Sequence, residues 1–358
     1  MRAVIALLPG DGIGPEVTAE AARALAAVGA RYGHSLEMKE AAIGGIAIDR
    51  TGAPLPPETV RICRAANAVL LGAVGGPRWG PSAPVRPEQG LLALRHALGV
   101  FANLRPASIH PRIVGASPLK PAVLKGVDVM IVRELTGGIY FGEKRREPDW
   151  AEDLCTYSRE EVARVVRVAA RLARSRSGRL TSVDKANVLE TSRLWREVAS
   201  QVVREEFPEV KLDHQYVDSC ALRLVQKPVE FDVIVTENLF GDILTDLTAV
   251  LGGSIGMLPS ASLGEGGPGL YEPVHGSAPD IAGKGIANPY GAIRSAALLL
   301  RHSLHLEAEA RALEAAVSAA LESGALTSDV AGPDERACST AEAGEAVLHA
   351  LSLQKETR

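Results

Sequence analysis

The sequence predicts an α/β protein with helices flanking a mainly parallel sheet, and three observations carry that expectation. Short β-branched runs alternate with longer Ala/Leu/Arg stretches of helical period, the pattern of βαβ units around a mainly parallel sheet. With 46% hydrophobic and 23% charged residues in 358, the chain can bury a large core without staples, at about 150 residues per domain. Its longest apolar runs, such as Ala3 to Leu8, fall well short of the about 18 residues a membrane helix needs.

Taken in order, Arg2 to Leu8 reads as a buried strand. Pro9-Gly10-Asp11 turns the chain into a helix over Pro15 to Tyr32, with proline suited to its first turn. Ala68 to Leu71 is the next strand, followed by strands at Val127–Arg133, Arg179–Val183, Val210–Val217 and Phe231–Thr236. Helices are expected at Arg159–Ser175, Leu189–Glu206 and Gly241–Leu251, then at Ala292–His302, Glu307–Leu321 and Thr340–Leu351. The Gly/Pro-rich stretches Gly72–Pro87 and Leu263–Gly269 read as flexible rims, and long loops of that kind often serve function.

Charge and cysteine usage narrow the function classes. Lys plus Arg number 39 against 43 Asp plus Glu, a formal charge of −4, so no excess of cations faces a phosphate backbone and nucleic acid is not an expected partner. No secretory signal is read at the N-terminus, and a cytoplasmic location with no membrane association is expected. Cys63, Cys155, Cys220 and Cys338 never approach CxxC spacing, which argues against zinc; they read as buried small hydrophobes in a reducing compartment.

Two glycine motifs mislead. Gly10-Asp11-Gly12-Ile13-Gly14 follows a strand and opens a helix, but Pro15 stands where a dinucleotide fingerprint needs its last glycine. Gly264, Gly266 and Gly269 match GxGxxG, yet Pro268 lies inside and no strand is read before them.

Other groups carry more chemistry. Asp242 and Asp246 fall four apart on one helix face, where like charges repel unless a cation joins them. Oxygen-only ligands favour Mg²⁺ or Mn²⁺, with Asp218 at a strand end as a third carboxylate; the bland alternative is a solvated helix face. Arg95, Arg105 and Arg133 stand in apolar settings. Their guanidinium forks would suit a polycarboxylate if they converge, and are otherwise ordinary ion pairs. Tyr140 follows a flexible Gly137-Gly138 pair and Lys185 sits at a strand-to-helix corner; both are possible acid/base groups, or else a packing aromatic and a surface cation.

Together the strings GDGIGPE (10–16), FANLRP (101–106), Arg133–Gly142, SVDKAN (182–187), Thr236–Asp246 and EPVHGSAPDIAGKGIANP (272–289) resemble the β-decarboxylating dehydrogenases of the isocitrate/isopropylmalate type, from the first strand to the C-terminal helices. The resemblance implies a two-domain α/β fold with a mixed sheet flanked by helices and without a Rossmann fingerprint: a discontinuous cofactor-binding domain over 1–102 and 256–358, and a substrate and dimer-interface domain over 103–255.

It implies NAD⁺ bound by Glu272, His275, Gly276, Ser277, Ala278, Pro279, Asp280, Ile281, Ala287 and Asn288, with Asp280 accepting from the ribose 2′-hydroxyl and repelling a 2′-phosphate. Arg95, Arg105 and Arg133 would clamp carboxylates. Asp218, Asp242 and Asp246 would hold Mg²⁺ or Mn²⁺, with Asp218 also touching substrate. Lys185 would take the hydroxyl proton and Tyr140 would protonate carbon, in a homodimer whose partner lends Lys185 and Asp218. Glu88, Leu91 and Leu92 would face the substrate side chain, where leucines suit an isopropyl group and leave a further carboxylate unpaired. The implied reaction is NAD-dependent oxidative decarboxylation of 3-isopropylmalate to 2-oxoisocaproate and CO₂ in leucine biosynthesis; the alternative is a related enzyme for tartrate or malate, homoisocitrate or isocitrate. A non-catalytic binding module would have lost Tyr140, Lys185 and the three aspartates, and all are present. Tyr290 stands where relatives usually have a smaller residue.

Overall fold

The computed structural model describes residues 1–80 and 82–354, so Pro81, inside the expected 72–87 loop, lies outside the described residues. The chain forms two compact units: one holds Met1–Val100, His110–Ala116 and the chain from Gly253 onward, the other Phe101–Ile109 and Ser117–Gly252.

The first unit opens with β1 (Arg2–Gly10), α1 (Gly14–Arg31), β2 (Ser35–Glu40), α2 (Gly45–Thr51), β3 (Ala68–Ala73) and α3 (Pro87–Leu98). β1 lies between β2 and β3, parallel to both, with Arg2 opposite Ser35 and Ile5 opposite Ala68. Every residue of β3 is buried. α1 starts where Pro15 presets the backbone and Glu16 faces the positive helix end. Its buried Val17, Ala21, Ala24, Leu25 and Val28 recur at helical spacing. β2 has no apolar run to betray it: it is an edge strand with no buried residue.

The second unit comprises β4 (Val100–Ser108), β5 (Asp128–Glu134), α4 (Arg159–Ser175), β6 (Arg179–Asp184), α5 (Glu190–Glu206), β7 (Lys211–Tyr216), α6 (Val217–Gln226), β8 (Val233–Thr236) and α7 (Asn238–Gly252). The strand order is β4-β5-β8-β6-β7, antiparallel between β4 and β5 and parallel thereafter. A parallel sheet aligns its carboxyl ends, and in open α/β folds ligands gather beyond them. Arg133, Lys185, Asp218 and α7 all sit at or just after the carboxyl ends of β5, β6, β7 and β8.

The chain then completes the first unit with β9 (Pro259–Gly264), β10 (Gly269–Pro273), α8 (Tyr290–His302), α9 (Glu307–Glu322) and α10 (Thr340–Leu353). β10 runs parallel to β3 and antiparallel to β9. Tyr290 is fully buried at the start of α8, its hydroxyl donating to the Ala325 carbonyl at 2.6 Å.

Several expectations need correction. A strand, β9, does precede Gly264, but the GxGxxG segment is the turn of the β9–β10 hairpin and opens no helix. Asp218 lies in the first turn of α6 rather than at a strand end, because β7 stops at Tyr216; a carboxylate there is favoured by the helix dipole. α7 begins at Asn238, three residues before the expected start, because the Glu237 carboxylate accepts the Phe240 N–H at 2.6 Å. Cys63 and Cys220 are buried, whereas Cys155 and Cys338, on loops rather than inner helix faces, are only half-buried. Among the described residues no helix is long and apolar enough to cross a membrane.

Trp195 anchors α5 in the second unit: it is 1% exposed, meets the Tyr157 ring edge-on at 5.7 Å, and donates to Ser182 Oγ at 3.2 Å beneath the Lys185 corner. Trp195→Ala is expected to lower unfolding stability by about 3–5 kcal/mol, read by urea denaturation of the two proteins at equal concentration.

Candidate active site

In the second unit the carboxyl end of β5 delivers Arg133, 4% exposed, toward the first turns of α7. Its Nε and Nη2 donate to Asn238 Oδ1 at 3.1 and 2.8 Å, and its Nη1 pairs with Asp242 Oδ1. The Tyr140 hydroxyl donates to the other oxygen of the same carboxylate at 2.9 Å, and the guanidinium lies 5.8 Å from the Tyr140 ring centre. Gly241 allows this approach, since a Cβ there would stand 2.5 Å from Arg133 Cγ. Burial, then the Asp242 carboxylate, pushes the Tyr140 phenol up to about 12, so it holds its proton at neutral pH.

The Gly137-Gly138 pair is pinned rather than flexible. Gly138 has φ +76°, and a Cβ on it would meet Tyr157 Oη at 2.4 Å, while Gly137 N–H donates to the buried Glu134 carboxylate at 2.8 Å. Asn238, which sequence reading missed, ties this turn to Arg133. Its Nδ2 donates to the Gly137 carbonyl at 3.3 Å and its backbone N–H to Tyr157 Oη at 3.0 Å. Its place directly after a buried strand end was the one available signal.

Also on the second unit, Arg105 donates from Nε to Asn103 Oδ1 at 2.8 Å and from Nη1 to Thr245 Oγ1 at 2.7 Å, with Asp246 Oδ1 3.5 Å away. Lys185 lies beyond β6 and its Nζ donates to Asp218 Oδ1 at 2.7 Å. Asp242 and Asp246 are thus brought together on α7, and Asp218 does not join them: among the described residues no three His, Cys, Asp or Glu side chains group as a metal site. The donor chemistry of the α7 pair is oxygen alone, and Asp242 already faces a guanidinium, so these carboxylates fit a hard divalent cation as part of its shell.

On the first unit, α3 carries Glu88 and Leu92 exposed, Leu91 half-buried, and Arg95, whose Nη2 donates to Glu272 Oε1 at 2.8 Å. Both side chains of that pair are 11% exposed. Beyond β10 the segment 275–288 is held by the GDGIGPE string. Glu16 accepts the Gly283 and Gly285 N–H groups, the second at 3.1 Å, and Ile13 N–H donates to the Ser277 carbonyl at 2.9 Å. Gly12 must be glycine, since a Cβ would lie 1.9 Å from Ser277 O. Asp11, 8% exposed, accepts N–H groups from Gly45, Ile46 and Gly75 at 2.7–2.9 Å. The failed fingerprint is therefore a cradle for a second loop, a role that no local pattern announces.

That loop carries an open request for a ligand. His275 is 8% exposed, and its Nδ1 stands 2.9 Å from the Gly276 carbonyl; a carbonyl only accepts, so the proton is on Nδ1 and Nε2 is an acceptor. Nε2 is buried without a partner. Burial holds the His275 imidazolium down, keeping the ring neutral. Ala278 adopts a left-handed φ of 38°, rare for a residue with a Cβ, and Asp280 is exposed. These features fit a polar cofactor with hydroxyl or amine donors.

A family profile described as "Isocitrate/isopropylmalate dehydrogenase" matches residues 4–347. The 3-isopropylmalate dehydrogenase of Anaeromyxobacter dehalogenans is 60% identical over 338 residues, covering 93% of this chain and 96% of that protein. The protein of that name from Rhodopirellula baltica is 56% identical over 358 residues, 98% and 100% of the two chains. Among solved structures, isocitrate dehydrogenase from Methylococcus capsulatus has a TM-score of 0.86 at 36% identity, covering 98% of this chain and 99% of that one. A β-decarboxylating dehydrogenase from Thermococcus kodakarensis has a TM-score of 0.81 at 38% identity, covering 98% and 96%.

Each Glu16 contact is a charge-assisted hydrogen bond, so Glu16→Ala is expected to cut amide-exchange protection of Gly283 and Gly285 by about tenfold or more, with β1 and β3 unchanged. Equal loss of protection throughout the first unit would contradict the local role.

Proposed function

The chain belongs to the isocitrate/isopropylmalate dehydrogenase family, and from that premise we propose that it carries out NAD-dependent oxidative decarboxylation of 3-isopropylmalate, yielding 2-oxoisocaproate and CO₂ for leucine biosynthesis in the cytoplasm. The observation that carries the chemistry is the Arg133–Asp242–Tyr140 junction. A guanidinium suited to carboxylates, a carboxylate suited to a metal ion and a protonated phenol meet there, from β5, the turn Gly138–Tyr140 and α7. Relatives named 3-isopropylmalate dehydrogenase, at 53–60% identity over nearly the whole chain, favour this substrate over tartrate, malate, homoisocitrate and isocitrate.

In this reading Arg95, Arg105 and Arg133 hold the substrate carboxylates, and Glu88, Leu91 and Leu92 meet its side chain, an apolar isopropyl group suiting the leucines. Asp242 and Asp246, with Asp218 of the partner subunit, would hold Mg²⁺ or Mn²⁺, which when bound would supply polarisation of the hydroxyl and carboxylate oxygens, and bound NAD⁺ would supply the hydride acceptor. Lys185 of the partner subunit takes the proton of the C2 hydroxyl as hydride leaves C2. The β-carboxylate then departs as CO₂, its bonding pair passing into the enolate, and Tyr140 gives its proton to C3. Asp242 accepts from the phenol hydroxyl in this chain and so holds the phenol oxygen in place.

For the cofactor, Asn288, Ala287, Glu272 and His275–Ile281 form the adenosine side, including Gly276, Ser277, Ala278, Pro279 and Asp280. His275 Nε2 can accept from an amine or hydroxyl, and Asp280 selects a free 2′-hydroxyl by charge. The first unit is thus the cofactor-binding domain and the second the substrate and dimer domain. Support for a homodimer comes from apolar side chains on the second unit: Leu222 on α6 and Ile243 on α7 are each 57% exposed, and Trp150 and Leu154 are 50% and 54% exposed, an unfavourable surface for a lone copy.

The test is NADH formation by the purified protein with Mg²⁺ or Mn²⁺ and 3-isopropylmalate, beside the four competing acids, NADP⁺ and a chelator. Chelator-sensitive NAD⁺ reduction confined to 3-isopropylmalate is the expected result; preference for another acid would overturn the substrate, and silence on all acids the activity. Lys185→Met should lower kcat by about 10²–10⁴-fold and leave NAD⁺ binding, measured by calorimetry, unchanged.

A further inference from the structure

Lys185 has a well-held backbone and a poorly held tip. Its N–H donates to the buried Ser192 Oγ at 3.0 Å, and the next N–H, of Ala186, donates to Asp184 Oδ1 at 2.9 Å. The ammonium, at the end of four flexible methylenes, pairs with Asp218, whose side chain is 64% exposed. An ion pair so open to water is weak and does not fix a lysine tip.

The neighbouring aromatic supplies what the ion pair lacks. Tyr216 is the last residue of β7 and stands opposite Asp184 in the β6–β7 register. Its ring centre is 6.0 Å from Lys185 Nζ and 5.1 Å from Arg196 Cζ, within the range where a ring face attracts a cation. Arg196 is itself locked, because its Nε and Nη2 donate to the two oxygens of Asp184 at 2.8 and 2.9 Å, and that carboxylate is 1% exposed. A bidentate pair anchored on a buried carboxylate is rigid, and it neutralises the guanidinium that would otherwise repel the lysine.

We propose that the Tyr216 ring, held in place by the Asp184–Arg196 pair, is a seat that positions the Lys185 ammonium. Tyr216 and Arg196 are positioning residues: they act on the reaction through Lys185. The inference rests on the reading of Lys185 as the base of the dehydrogenation; toward Lys185 the working part is the aromatic ring, while the Tyr216 hydroxyl also interacts with Arg196.

The test uses the dimeric holoenzyme with Mn²⁺, NAD⁺ and 3-isopropylmalate. Tyr216→Leu is expected to lower kcat by about tenfold or more with KM values within about threefold. The deuterium isotope effect on kcat from substrate labelled at C2 should rise as the chemical step becomes limiting. Tyr216→Phe keeps the ring and should retain kcat within about twofold. Arg196→Met should move kcat and the isotope effect as Tyr216→Leu does, and the double variant should be no worse than either, as expected for one line of support. Unchanged kcat and isotope effect in Tyr216→Leu would overturn the proposal, as would a Phe variant as impaired as the Leu variant.

A second readout needs no turnover. After reductive methylation with ¹³C-formaldehyde, the Lys185 signal, identified by its absence in Lys185→Arg, should lie upfield in the wild type and in Tyr216→Phe. It should move downfield in Arg196→Met, which frees the ring, and in Tyr216→Leu where that variant folds. A wild-type Lys185 signal at the position of ordinary exposed lysines would overturn the seat. If the wild type fails to oxidise 3-isopropylmalate, the substrate reading fails, and the NMR shift still decides the seat.

Discussion

The ion pair between Arg133 and Asp242 is the constraint on which the second unit is built. A guanidinium 4% exposed is far too costly to leave without a partner, so the ends of β5 and β8 must place Asn238 and Asp242 around it. Gly241 then has to lack a Cβ, and Tyr157 has to brace the turn that leads to Tyr140. The phenol, the carboxylate and the guanidinium form one object with no freedom to drift apart. Such preorganisation is what a site needs if it is to hold a dicarboxylate and deliver a proton to one carbon.

Most of the fold was legible because buried strands and amphipathic helices write their periods into the sequence. β3 is buried throughout, and the buried face of α1 is mostly apolar at helical spacing. The elements that escaped are β2 at a sheet edge, β4 and the β9–β10 hairpin, whose apolar runs are broken by Arg, Pro, Gly or Ser, the helices over Gly45–Thr51, Pro57–Ala65 and Pro87–Leu98, and α6, whose first turn was read as the end of a strand. In the site, Asp242, Tyr140 and Arg133 could be singled out by residue type and setting. Asn238, Asp11 and Glu16 could not, because each works by accepting or donating hydrogen bonds to backbone far away in sequence. The resemblance to a family named the catalytic groups; the hydrogen bonds explain what keeps them in place.

The charged groups of the candidate site on the second unit fall into two clusters. Asp242 and Asp246 share α7 with Arg133 and Arg105 as neighbours, while Asp218 is engaged by Lys185 beyond β6 and β7. In both clusters a cationic side chain rests on a carboxylate that the proposed reaction needs for a metal ion. This arrangement is electrostatically sound for a chain without ligands, since paired charges avoid the penalty of facing each other alone. It also means that Lys185 and Asp218 do not belong to the group that holds Tyr140. The apolar residues exposed on α6 and α7 lie next to both clusters in sequence, where the proposed dimer would bring the clusters together.

That division is the centre of the account, and subunit complementation tests it most directly. In the proposed homodimer with shared sites, Lys185→Met and Asp242→Asn would each disable every site of their own dimer. Unfolding and refolding an equimolar mixture pairs a chain bearing one lesion with a chain bearing the other, so that in a mixed dimer one site holds both lesions and the other holds neither. Random pairing then predicts recovery of about a quarter of wild-type activity from two inactive parents. A mixture that forms mixed dimers, verified by tagged purification, and remains as inactive as its parents would show that Lys185 and Asp242 serve the same chain's site.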